Sequence, residues 1–142
     1  MSKINVGKVV IGGLIAGVVL NAGEFLLNGV LLAEAMKQDF AKLGLGDPGA
    51  NTTFLIRVTG ITFFLGIAIV YLYAAIRPRF GAGWKTAACA GVLAWFFVYL
   101  YAGYVYLSTG IGSSKVYLLT LVWGIVEYTV AAIAGAYFYK EE

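Results

Sequence analysis

The chain has 142 residues, 61% of them hydrophobic and 12% charged, with a formal net charge of +3. Soluble domains carry roughly a quarter charged residues, so this composition points to lipid as solvent. Having no histidine and one cysteine, Cys89, excludes His-based triads, the usual zinc centres and a disulfide framework within one chain.

Four apolar segments reach or approach the roughly 18-residue length of a spanning helix: 9–33, 54–76, 86–107 and 116–139. They lack the alternation of outer-membrane strands. The predicted fold is all-α, a polytopic membrane protein with one antiparallel four-transmembrane-helix bundle over 1–142. Lys3 and Lys8 before the first apolar run resemble the start of a signal peptide. Leu20, however, stands where cleavage after Ala22 needs a small residue, so the run is expected to be retained.

The first span holds Gly13, Gly17, Asn21, Glu24 and Asn28 at steps of four and three, hence on one helical face. Gly13 and Gly17 form a GxxxG pair that serves close helix contact, within the chain or between copies. Polar and apolar residues continue at helical spacing from Glu34 to Phe40, an expected amphipathic extension near the interface. Gly44, Gly46 and Asp47-Pro48-Gly49 then break the helix. The loop to Thr53 reads either as a solvated connector or as a cap over one end of the bundle.

The second span carries Thr59, Gly60, Thr62 and Gly66 as close-approach positions, and Pro78 is its expected stop. The next connection, Arg77 to Lys85, contains three basic residues and no acid, which places it in the cytoplasm by the positive-inside rule. Both termini then lie on the cytoplasmic side, as expected of a bacterial inner (plasma) membrane protein. That side collects Lys3, Lys8, Arg77, Arg79, Lys85 and Lys140, against Lys37, Lys42, Arg57 and Lys115 on the other. The basic residues are too dispersed for a nucleic-acid surface. Gly81-Ala-Gly-Trp-Lys-Thr86 lacks the spacing and the preceding strand of a phosphate loop.

The third span pairs a small face, including Ala87, Ala90 and Gly91, with an aromatic second half from which Tyr101 and Tyr104 are expected to point inward. The fourth contains Gly124, a second acid Glu127, Tyr128 and Gly135. The helix-packing glycines are therefore Gly13, Gly17, Gly60, Gly66, Gly91, Gly124 and Gly135. Spans two and four align without a gap: Val58, Gly60, Ile61, Ala68, Ile69 and Tyr73 match Val122, Gly124, Ile125, Ala132, Ile133 and Tyr137. Gly13-Leu-Ile-Ala16 aligns with Gly91-Val-Leu-Ala94, suggesting a duplicated hairpin in parallel orientation.

Carboxylates at membrane depth cost at least about 2.5 kcal/mol when ionised and should face protein or water. The candidate proton or substrate site comprises Glu24, Asn21, Asn28, Glu127, Tyr101 and Tyr128. No base lies at that depth, so the acids are protonated, hydrated or bound to a cation; as an alternative they are interhelical glue. The expected function is a small transporter or channel, a homo-oligomer in the bilayer, with a cationic or small neutral substrate. The alternative is a non-catalytic accessory protein binding lipid, an apolar small molecule or another protein. Two acids without a nucleophile or metal cluster do not specify an enzyme, and no cofactor or metal is expected.

The segments Ala74-Ala-Ile-Arg-Pro-Arg-Phe-Gly-Ala-Gly83 and Leu121-Val-Trp-Gly-Ile-Val-Glu127 resemble small bacterial four-helix integral membrane proteins of uncharacterised function. In size and helix count the chain is also similar to small multidrug exporters. That likeness implies a helix-one glutamate serving protons and organic cations, a place that Glu24 takes. The long loop and Glu127 depart from that pattern.

Overall fold

The structure, a computed structural model, describes residues 3–140. Four helices are long and apolar enough to cross a membrane: α1 (Val6–Leu31), α3 (Thr52–Phe80), α4 (Trp84–Ser108) and α5 (Ser114–Tyr137). A short helix α2 (Ala33–Lys42) and a 3-10 turn (Pro48–Ala50) lie between α1 and α3. The protein is a multi-pass, all-helical membrane protein.

Local chemistry sets the ends. Asn5 caps α1 by accepting from the Lys8 N–H at 3.0 Å, and Asn51 caps α3 by accepting from the Phe54 N–H at 3.0 Å. Each satisfies one of the free donors at a helix start. Helix α3 runs through Pro78 rather than stopping there, and ends at Gly81, whose φ of +85° suits glycine. Proline removes one intrahelical bond, and three residues from a helix end little structure depends on that bond. The Thr86 hydroxyl donates to the Gly81 carbonyl at 2.7 Å and fastens the α3–α4 turn.

Helix α1 packs on α3 and α5, and α4 packs on the same two helices, with a further contact between α3 and α5. Lipid tails are as apolar as leucine, so these contacts depend on close packing rather than on the hydrophobic effect. Glycine supplies the closeness. A Cβ on Gly66 would run into the backbone of Gly13 and Gly17. Gly135 sits against Gly12, Ala16 and Val70, and Gly91 against the Tyr128 carbonyl and Ala132. The GxxxG pair is thus occupied by α3 of the same chain, and any association of copies must use other faces. Gly60 does not fill the packing role expected of it, because nothing lies within 4 Å of its missing Cβ. The same spacing that turns Thr62 and Gly66 inward turns Gly60 out.

Both hairpins cross at comparable places. Gly13 meets Ile67, while Gly91 meets Tyr128 and Ala132, within one turn of Ala131; the alignments that pair Gly13 with Gly91 also pair Ile67 with Ala131.

Two stretches depart from α geometry. Phe25–Leu31 in α1 and Phe96–Ala102 in α4 are wide, π-helical turns of seven residues each. The Leu32 N–H reaches back five residues to the Leu27 carbonyl at 2.7 Å. Such turns make up well under 1% of residues and concentrate at functional sites. Between α4 and α5, the Tyr117 hydroxyl donates to the Leu100 carbonyl inside the second wide turn at 2.9 Å.

Candidate functional site

The polar face of α1 leads directly into the first wide turn. Asn21 donates through Nδ2 to the Gly17 carbonyl at 2.9 Å and to the Thr59 carbonyl of α3 at 3.4 Å. One turn later Glu24 accepts from two groups. Asn28 Nδ2 donates to its Oε2 at 2.6 Å, and the Tyr99 hydroxyl of α4 donates to its Oε1 at 2.5 Å. The Glu24–Asn28 bond follows from the spacing of four on a helix. The Tyr99 bond comes from across the bundle, between a residue inside one wide turn and the residue that immediately precedes the other.

Tyr99 is seated by Gly124 of α5. The place a Cβ would take at Gly124 lies 2.6 Å from Tyr99 Cδ2, so any larger residue pushes the ring aside. The Tyr128 ring, 1% exposed, meets the Tyr99 ring edge to face at 5.4 Å between centroids.

Glu127 is 7% exposed. Its carboxyl lies over the backbone of α1 at Gly23, where the place of the absent Cβ is 2.6 Å from Glu127 Cδ. Glu127 thus comes from α5 against the residue next to Glu24, near enough for the two acids to act on each other, and the missing side chain at Gly23 makes room for it. Among the described residues neither Glu127 oxygen has a hydrogen-bond partner; the Trp123 indole N–H, one turn earlier on α5, interacts with the carboxyl but falls short of hydrogen-bond geometry. Buried polar atoms without partners are uncommon and ask for an explanation.

A cavity of about 570 Å³ opens beside Glu24, between α1, α2, α3 and the loop at Asp47–Gly49. That volume is in the range of small-molecule sites. Its polar lining comes from Asn21, Glu24, Asn28 and Thr59, and its apolar walls from residues such as Phe25, Met36, Phe54 and Val58. Glu34, Lys37 and Asp47 contribute from α2 and the loop, so α2 and the loop wall the cavity. Glu127 is not part of the lining.

Of the residues singled out from sequence, the structure brings Asn21, Glu24 and Asn28 to the cavity and sets Glu127 and Tyr128 behind them. Tyr101 is elsewhere. It points away from the bundle, 64% exposed, as does Tyr104 at 62%. Tyr99 takes the inward position instead, because a wide turn needs more than 3.6 residues per revolution and shifts any face counted at that period. Gly23 and Tyr99 carried no signal in composition or spacing. The run of aromatics in α4 identified the right region of the helix without identifying the residue.

Chemically, the site can hold a proton on a carboxyl, attract a cation through Glu24 and orient a neutral polar group through the amides of Asn21 and Asn28. Among the described residues no group of three or more His, Cys, Asp or Glu side chains is placed to hold a metal ion. No protein-family model, no curated protein and no solved structure matches this chain.

Proposed function

We propose that this protein is a small proton-coupled membrane transporter that binds a cationic or small neutral ligand in the cavity beside Glu24. The observation that carries the reading is the position of Glu24. It lines a ligand-sized cavity, is bonded across the bundle to Tyr99 and has a second buried acid, Glu127, behind it. One group thus meets the ligand and senses protonation in the protein interior. The wide turns on both sides of the Glu24–Tyr99 bond supply backbone that can rewind when that bond breaks. Glu24, Glu34 and Asp47 outnumber Lys37 around the cavity, which favours a cation over an anion.

In this reading the end of the bundle that carries the termini and the α3–α4 turn faces the cytoplasm of a bacterial inner membrane, and the cavity opens toward the other side. The six-to-four distribution of basic residues supports that orientation.

The test is reconstitution in liposomes with an imposed pH gradient. Uptake of tetraphenylphosphonium and the accompanying proton flux are followed for the native chain, Glu24→Gln and Glu127→Gln. The expected result is gradient-driven uptake that falls at least about tenfold in both variants, a loss of about 1.4 kcal/mol or more. Uptake equal in all three proteins would refute proton coupling through these acids. Binding without any flux would favour the accessory, ligand-binding role.

A further inference from the structure

We infer that the Glu24–Glu127 pair holds a single proton, that it resides on Glu127, and that Glu24 carries the negative charge that meets the ligand. This rests on the proton-coupled reading for its functional meaning, but it is drawn from an asymmetry between the two acids.

Glu24 has a donor on each oxygen, Tyr99 on Oε1 and Asn28 on Oε2. A carboxylate held by two short bonds from neutral donors is well stabilised. Among the described residues Glu127 has no partner in hydrogen-bond geometry on either oxygen, only the looser approach of the Trp123 N–H, and it is 7% exposed. A buried carboxylate without well-placed donors loses its hydration and recovers little of it, whereas a neutral carboxyl loses far less. The ionisable and polar side chains acting on Glu127 are Glu24 from α1, Tyr99 from α4, and Tyr128 and Trp123 from α5 itself; none of them is a base. Two acids so close in a poorly solvated site do not both ionise. The one with two donors keeps the charge, and the one with none keeps the proton.

The cavity assigns different tasks to the two. Glu24 lines it and Glu127 does not. Ligand site and proton site are thus two groups, Glu24 in the cavity lining and Glu127 against its chain neighbour Gly23, not one group occupied in turn. A cation seated on Glu24 cancels the negative charge that, together with burial and the lack of donors, keeps Glu127 neutral. The Glu127 O–H bond then breaks with its electron pair staying on oxygen, and the proton passes to bulk water. One positive charge enters the site for each one that leaves.

Infrared spectroscopy of the full chain in lipid nanodiscs at pH 7 tests this without requiring transport. The native protein should show the C=O band of a protonated carboxyl. The band should be absent from Glu127→Gln and moved in frequency in Glu127→Asp, and Glu24→Gln, which removes the same negative charge that a bound cation cancels, should weaken it as the cation does. Saturating tetraphenylphosphonium should abolish it in the native protein. Absence of the band from the native protein, its retention in Glu127→Gln, or a band untouched by both the bound cation and Glu24→Gln would overturn the inference. If Glu127→Gln does not fold, Glu127→Asp decides: the band should move in frequency, and an unmoved band counts against Glu127. Loss of flux with the Glu127 band in place would refute transport alone. Intact flux with the band on another residue would refute this assignment alone.

Discussion

The Tyr99 hydroxyl reaches Glu24 Oε1 at 2.5 Å and ties α4 to α1 across a bundle in which those two helices otherwise make little contact. Hydrogen bonds between membrane helices contribute about 0.6 kcal/mol on average and at most about 1.7. Tyr99→Phe keeps the ring packed between Gly124 and Tyr128 and removes only the hydroxyl. The variant should stay folded, with thermal stability within a few degrees of native in detergent. Proton-driven uptake should nevertheless fall several-fold, because Glu24 loses one of its two donors. Native flux at native stability would show that the bond is only structural.

Gly124 tests the same bond indirectly. Its substitution by alanine puts a methyl group into the Tyr99 ring. The ring has to tilt, and overpacking of this kind costs about 1–3 kcal/mol. Gly124→Ala should therefore weaken the Tyr99–Glu24 bond as well as the packing. If the methyl acts on function through the hydroxyl, Gly124→Ala should reduce uptake much less in a Tyr99→Phe background than in the native one. Additive losses in the four-way comparison would mean that the two residues act independently.

The same two residues mark where reading from sequence stops. The spans are legible because hydropathy sums over some twenty residues and tolerates a stray polar group. The polar face of α1 is legible because α1 is regular up to Glu24, so 3.6-residue counting holds for Gly13, Gly17 and Asn21. Past Glu24 the backbone widens, and in α4 it widens after Trp95. Tyr99, not Tyr101, then faces Glu24. No local residue pattern signals that change, which is set by what the helices must accommodate together. Glycines present a similar limit. Gly60 and Gly66 look equivalent in the chain, and only the neighbours of α3 distinguish them.

That distinction gives a stability prediction. A methyl at Gly66 meets the backbone of α1, which has no side chain to swing away, so the helices must separate. Gly66→Ala should cost at least about 1–3 kcal/mol and lower the yield of folded protein. Gly60→Ala meets nothing and replaces a poor helix former, so it should be neutral or stabilise by up to about 1 kcal/mol. Thermal unfolding of the two variants side by side is the measurement. Equal destabilisation would place Gly60 against a partner, the natural candidate being a second copy of the chain.

Val58 provides a direct probe of the cavity, which it lines from α3 two turns after the Asn51 cap. In a chain whose own Cys89 is replaced by alanine, Val58→Cys should react with a membrane-impermeant thiol reagent if the cavity is reached from water. Tetraphenylphosphonium in the cavity should slow that reaction at least several-fold. A control cysteine at Ser113, exposed in the α4–α5 loop on the same side of the membrane, lies away from the cavity lining and should label equally with and without the cation. Applying the reagent to sealed right-side-out vesicles also fixes the orientation. Labelling from outside supports a cavity facing away from the cytoplasm, in line with the basic residues near the α3–α4 turn. Labelling only after the vesicles are opened would reverse the topology, and labelling unaffected by the cation would remove this cavity as its binding site.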